Sequence, residues 1–251
     1  MSAELYDGWY VSPNQYEVGP SSGTATEYQK HNADIIYNTF TALGWTVNAI
    51  AGMVGNIMYE SCIDPACVYP KSSFPNQGAT LADLDNQYAI QRPNPAYGLV
   101  QWYGTTQTPP AGNQLVSYAI RHDYQWYSGI VQLMRLTWEY QEPAKFHPQT
   151  VDGVYYTFES YSHSTASASQ LAKVWLMCYE GTYSVIDVRK ANAEYWYEYY
   201  QGEPPTPPDP PDPPDPPDPP DPPDPPQPTI LPAWFYMLLN KQINRKDVIL
   251  K

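Results

Sequence analysis

Cysteine is scarce in this 251-residue chain, and its three copies, Cys62, Cys67 and Cys178, form no recognisable set. The spacing of the first two does not match a short zinc-binding pair, and no histidine pair follows at finger spacing. An odd, low count also argues against a scaffold stapled by disulfides. Basic residues are few: 13 Lys and Arg stand against 26 Asp and Glu, for a formal charge of -13. Residues 1–202 carry -9 of it, which argues against nucleic acid as a partner, because a phosphate backbone recruits Lys and Arg. No run of 18 apolar residues exists, so no bilayer-spanning helix is expected. The opening MSAELYDGWY has neither a basic stretch nor an apolar one, and no secretion signal is expected from it. No metal or organic cofactor is implied.

Aromatic residues, by contrast, are plentiful, with 24 Tyr and 8 Trp. Most of the tyrosines read as packing; the rest would suit a neutral sugar, which is held by ring faces and hydrogen bonds. Proline is concentrated in one place. From Pro204 to Pro228 the chain repeats Pro-Pro-Asp, and residues 203–228 carry -7. Proline fixes φ and removes the N–H that a helix or ladder needs. The three-residue period sets every Asp on one side of a polyproline II helix, where like charges extend it further. At about 3.1 Å per residue the tract reaches on the order of 75 Å, which suits a semi-rigid spacer.

Three regions follow: a domain at 1–202, the spacer at 203–228 and a terminal segment at 229–251. The last contains Trp234, Phe235, Leu238 and Leu239 and then Lys241, Arg245 and Lys246. It is too short to span a bilayer and too small for a core, so a partner must cover it. A groove in another protein is favoured over a membrane surface.

The domain reads as mainly α. Ile35, Ile36, Phe40 and Leu43 recur at helical spacing over 27–43, and Gly44 supplies a stop. Thr46 reads as the N-cap of a helix from about 47 to 59, nearly all apolar and rich in Ala49, Ala51, Gly52 and Gly55. Glycines there cost helix stability, so they predict close approach by a neighbouring helix around a buried centre. Residues 68–96 predict a long loop with minor strand, and helices return at 112–121, 125–140, 168–180 and 187–200. Strand-like alternation is scarce.

Glu60 stands at the end of the small-residue helix. The helix dipole disfavours an anion there, and apolar walls would desolvate it. Both effects favour a general acid, although a glutamate that has merely reached the surface fits the spacing equally well. A second patch, YGLVQWY at 97–103, sharpens the reading. Glu60, Ser61, Asp64 and Pro65, followed by Gly98, Leu99, Gln101 and Trp102, resemble the Glu-Ser and Gly-Leu-x-Gln motifs of goose-type lysozymes and lytic transglycosylases. They resemble the phage tail lysozyme family more closely. Its pattern is similar here from Ala49 to Pro65, from Tyr97 to Trp102 and at Tyr179-Glu180, so the likeness covers roughly 25–200.

That resemblance implies a lysozyme-like fold and cleavage of the β-1,4 bond between N-acetylmuramic acid and N-acetylglucosamine. It implies Glu60 as the catalytic acid, with Ser61, Gln101 and Tyr179 binding or orienting, and it implies a place in the virion at the tail tip or knob, among other tail proteins. Trp102 is read equally as a sugar platform and as core. The second carboxylate stays open among Asp64, Glu180, Asp83, Asp85 and Asp123, with Asp64 and Glu180 foremost. A transglycosylase would need one glutamate alone and give an anhydro-sugar. Glu159-Ser160 lacks a buried helix before it and reads as a decoy. Three other readings stand beside this one: an endolysin, a cysteine peptidase, for which no Cys–His signature exists, and a structural tail-tip protein whose lysozyme-like domain only binds the wall.

Overall fold

The computed structural model describes residues 3–12, 25–69, 80–92, 95–106, 112–141 and 145–202. The spacer and the terminal segment, with Trp234, Phe235, Leu238 and Leu239, lie outside the described residues. The compact unit that contains the described residues ends at Gly202.

The architecture is mainly α. Helix α1 (Glu27–Ala42) starts at Thr26, whose hydroxyl accepts from Gln29 N at 3.3 Å while Gln29 returns its side-chain oxygen to Thr26 N at 2.9 Å. This reciprocal cap satisfies two otherwise orphaned donors. Helix α2 (Val47–Ser61) is capped by Thr46, and almost all of it is buried. It forms the axis of the domain. Helices α7 (Ala168–Trp175) and α8 (Ile186–Gln201) pack along it, with α1 alongside.

The glycines of α2 explain how close those neighbours come. A Cβ on Gly52 would lie 2.9 Å from the backbone of Leu171 and Ala172, and one on Gly55 would lie 2.6 Å from Ala193 N. Each glycine therefore seats one helix, as the small-residue pattern predicts. Asn56 bridges the same contact, donating to Gly52 O at 2.9 Å and to Ala172 O at 3.1 Å.

Helices α3 (Asn86–Ile90), α4 (Gln114–Arg121) and α5 (Gly129–Gln141) form the other side of the core, with a 3-10 turn at Leu81–Leu84. Helix α6 (Phe158–Ser162) precedes α7. The region 68–96, expected as loop with minor strand, holds α3 and that 3-10 turn as well as strand.

Strand structure is more frequent than the sequence suggested. Four antiparallel pairs occur among the described residues: β1 (Glu4–Tyr6) with β2 (Trp9–Val11), β3 (Val68–Tyr69) with β4 (Ala96–Tyr97), β5 (Thr105–Thr106) with β6 (Gly112–Asn113), and β7 (Gln149–Val151) with β8 (Val154–Tyr156). Two of them turn on Asp-Gly. Asp7 and Gly8 have φ 49° and 80°, and Asp152 and Gly153 have 49° and 82°. Both residues in the left-handed region is what a tight two-residue hairpin needs.

Trp9, Trp102, Trp126, Trp175 and Trp196 are fully buried. The buried tyrosines are Tyr97, Tyr118, Tyr127, Tyr156, Tyr161 and Tyr179. Tyr28, Tyr59, Tyr69, Tyr103, Tyr155 and Tyr183 remain exposed, so fewer tyrosines are core than composition implied. Among the described residues no helix is long and apolar enough to cross a membrane.

Candidate functional site

The site is organised by the last turn of α2. Asn56 and Glu60 are one turn apart and share a face, and both meet Arg189 of α8. Arg189 Nη1 donates to Asn56 Oδ1 at 3.0 Å, and Nη2 donates to Glu60 Oε1 in an ion pair. The guanidinium also lies over the Tyr59 ring at 4.4 Å. Arg189 is buried, whereas the Glu60 side chain keeps 19% of its surface in solvent. The expected apolar wall around Glu60 is therefore partly a buried cation, brought in by the close approach of α8 at Gly55.

The chain leaves α2 under strain. Cys62 and Ile63 follow each other in the left-handed region at φ 56° and 60°. A β-branched residue there is a genuine outlier, held only because its surroundings over-determine it. Asn32 accomplishes part of this by donating to Ile63 O at 2.8 Å. Asp64 accomplishes more: its carboxylate accepts from Ala66 N at 2.8 Å and from Ser12 N at 3.1 Å, tying the β1–β2 hairpin to the end of α2. Burial pushes the Asp64 carboxyl up to about 7, against the pull of those two N–H groups. Both its oxygens are engaged in holding backbone.

Ser61 is buried. Its hydroxyl donates to Ile57 O at 3.1 Å and to Leu99 O at 2.8 Å, joining α2 to the turn that carries Gly98 to Trp102. It orients segments rather than facing a cleft. That turn is closed by the Tyr97–Trp102 bridge and fastened by Gln132, whose Oε1 accepts from Leu99 N at 2.7 Å. Gln101 sits at φ 51°. Its Nε2 donates to Gly98 O at 2.7 Å, while Oε1 is buried with no hydrogen-bond partner among the described residues.

Trp102 is 1% exposed, which leaves no face for a sugar ring. Its Nε1–H donates to both oxygens of Glu139, at 3.0 and 3.2 Å. Tyr179 belongs to the same cluster: its hydroxyl donates to Glu139 Oε2 at 2.5 Å. The tyrosine thus bonds a carboxylate, as its resemblance implied, but the carboxylate is Glu139 and not Glu60. Arg135 completes the cluster with an ion pair to Glu139 at 2.8 Å and a bond to Gln114 O at 2.9 Å.

Glu180, next to Tyr179, ends a π-helical turn at Leu176–Glu180 that continues α7. Burial, reinforced by the negative charge of Glu60, pushes its carboxyl up to about 8; Lys145 and Arg189 oppose the shift. Among the candidate second carboxylates, Glu180 is the one that shares an environment with Glu60. Asp83 and Asp85 instead cap the 3-10 turn and α3, Asp123 follows α4, and Glu159 is exposed on α6.

Sequence reasoning missed Arg189, Lys145, Arg135 and Glu139. The i,i+4 spacing of Arg135 and Glu139 within an otherwise apolar helix was an available signal. Nothing local marked Arg189, which lies 129 positions from Glu60. The cysteines offer no activated nucleophile: burial pushes the Cys67 thiol well up and the Cys178 thiol to about 11, and a thiolate nucleophile needs the opposite.

A helical domain with a glutamate at the end of its buried axial helix and a Gly-Leu-Val-Gln-Trp turn bonded to that helix end defines a lysozyme-like protein. The chain belongs to the phage tail lysozyme family, whose family model matches residues 31–200. It is similar to Morphogenesis protein 1 of Bacillus phage B103, with 30% identity over 176 residues. That match covers 70% of this chain and 40% of the relative, so the chain spans under half of the relative's length.

Proposed function

We propose that this protein is a tail-associated glycosidase that cleaves the MurNAc–GlcNAc β-1,4 bond of peptidoglycan and opens the bacterial wall during phage genome entry. Glu60 is its catalytic carboxyl. The supporting observation is the placement of Glu60: a partly solvent-exposed carboxyl at the end of the buried axial helix, with Arg189 and Glu180 beside it. General acid catalysis needs a proton held on such a centre, and a glycosidase commonly works with two carboxyls. The protein belongs to the virion at the tail tip or knob, with peptidoglycan as substrate and other tail proteins as partners of residues 229–251. The spacer between them carries the enzyme out to the wall.

A structural role is the second reading, favoured by the name of the relative from phage B103, a morphogenesis protein. One experiment separates the two. Purified protein is incubated with peptidoglycan sacculi, and the released fragments are identified by mass spectrometry. Muropeptides with reducing ends support hydrolysis, and anhydro ends support a lytic transglycosylase. No glycan cleavage by well-folded protein would leave the structural reading.

A further inference from the structure

Glu60 accepts from Arg189, a buried guanidinium that carries a fixed charge. A carboxylate in that pair is an anion, and an anion has no proton to give a glycosidic oxygen. The proton must be held nearby, on a group whose position is as well fixed as that of Glu60.

Glu180 has that position. Tyr179, just before it, is locked into the core by its hydrogen bond to Glu139 at 2.5 Å and by stacking on Trp175 at 4.3 Å. Gly181, just after it, turns the chain at φ 70°. The intervening backbone is a π-helical turn, a geometry that recurs at functional sites. One carboxyl oxygen, Oε1, is buried with no hydrogen-bond partner among the described residues. Trp175 Nε1 is also buried and unpartnered; the indole is near enough to temper the acid, but makes no hydrogen bond of accepted geometry with it. The charged groups that act on Glu180 are Glu60 from α2, Arg189 from α8 and Lys145, whose ammonium sits 5.0 Å from the Tyr179 ring centre. A buried, unsatisfied carboxyl oxygen costs less when the group is neutral.

Resting on the lysozyme reading above, we propose that Glu180 is the proton-holding partner of Glu60: the two carboxyl groups share one proton, with Arg189 keeping the charge on Glu60 and burial keeping the proton on Glu180. Two neighbouring carboxyls that share a proton titrate as a pair. The carboxyl of Glu180, raised to about 8, is then loaded at neutral pH. In turnover the Glu180 proton passes to Glu60 and on to the glycosidic oxygen as the C–O bond breaks. Both glutamates are then anions beside the oxocarbenium ion. Water, or the sugar's own 6-hydroxyl, closes that cation, and the proton it releases returns to Glu180. Glu180 acts through Glu60 and is a positioning residue in this scheme.

The test uses the full chain labelled with ¹³C at glutamate side chains, followed by NMR across pH, together with the pH profile of sacculus clearing. A carboxyl that titrates near 8 is expected in the unmodified protein, absent in Glu180→Gln and moved downward in Glu60→Gln, which removes the neighbouring charge. Glu180→Gln, with near-UV circular dichroism unchanged, should lose roughly tenfold or more of its activity. The fall in activity above about pH 8 that marks the unmodified enzyme should shift in this variant. A titration of Glu180 unaffected by Glu60→Gln would overturn the pairing. So would a folded Glu180→Gln protein with unaltered rate and pH profile. If the unmodified protein cleaves no glycan, it is the lysozyme reading that fails, and the NMR titration still decides whether the proton is shared.

Discussion

Two glutamate–arginine pairs sit in this domain, and they are built to opposite ends. Glu139 and Arg135 are both nearly sealed, at 4% and 6% side-chain exposure. Glu139 is saturated by Arg135, Trp102 and Tyr179. Glu60 keeps contact with solvent, and the group beside it, Glu180, has a buried oxygen left unpaired. A fully bonded buried network fixes a fold, because each member loses if another leaves. An incompletely bonded one has capacity for a substrate or a proton. The comparison teaches that the motif residues divide between the two tasks. Ser61, Trp102 and Tyr179 are spent on holding segments together, while Glu60 and Glu180 are left for chemistry.

The largest expected effect comes from breaking the sealed pair. Glu139→Leu strips Arg135 of its counter-charge and leaves the Trp102 and Tyr179 donors without an acceptor. Loss of one partner of a buried pair costs about 3–5 kcal/mol, which urea denaturation would read directly. A loss too small to measure would mean the cluster does not hold the fold. Glu60→Gln should show the reverse profile. Its amide oxygen can still accept from Arg189, so the urea midpoint should move little, whereas clearing of sacculi should drop about a hundredfold or more. If Glu60→Gln unfolds the protein as far as Glu139→Leu does, the division between the pairs disappears.

A third, smaller effect is the pH slope of stability. Glu180 rises from 4.5 to about 8 on folding and Asp64 from 3.8 to about 7, so the folded chain holds protons that the unfolded chain would release. The stability linked to each group is full below its unfolded value and is lost as pH rises through its folded value. Urea midpoints should therefore decline between about pH 4.5 and 8, and Glu180→Gln should flatten part of that decline. An identical slope in the variant would show that the open site contributes nothing to it. The smallest effect is expected from cutting the chain after Gly202. Every member of both pairs precedes that point, so residues 1–202 should keep their denaturation midpoint and specific activity. Folded but inactive protein would place part of the active site in the spacer or terminus.

The axial helix was legible in the sequence because its signals are local: a Thr cap, an apolar run, and two glycines whose cost demands a neighbour. Glu60 was legible for the same reason. The Asp-Gly pairs at 7–8 and 152–153 were equally local, but the strands around them have only three residues each, too short to show alternation. Trp102 and Tyr179 stood out as residues without revealing their task, since their common acceptor lies 37 and 40 positions away. Glu139 itself resembles any glutamate on an amphipathic helix. The predicted apolar surroundings of Glu60 gave way to Arg189 because helix-to-helix register, which decides what faces what, leaves no trace in local pattern. The spacer and docking reading of 203–251 falls outside the described residues.

The π-helical turn at Leu176–Glu180 has a consequence for how this chain tolerates change in length. Such a turn is in effect an ordinary helix carrying one surplus residue. Removing a residue there would restore regular winding and rotate everything downstream by about 100°, the angular step of an α-helix. Tyr179 and Glu180 could then no longer point to the core and the cleft together. The surplus residue works as a phase shift, and a single-codon deletion in this turn would put the domain out of phase with itself while leaving its composition almost untouched.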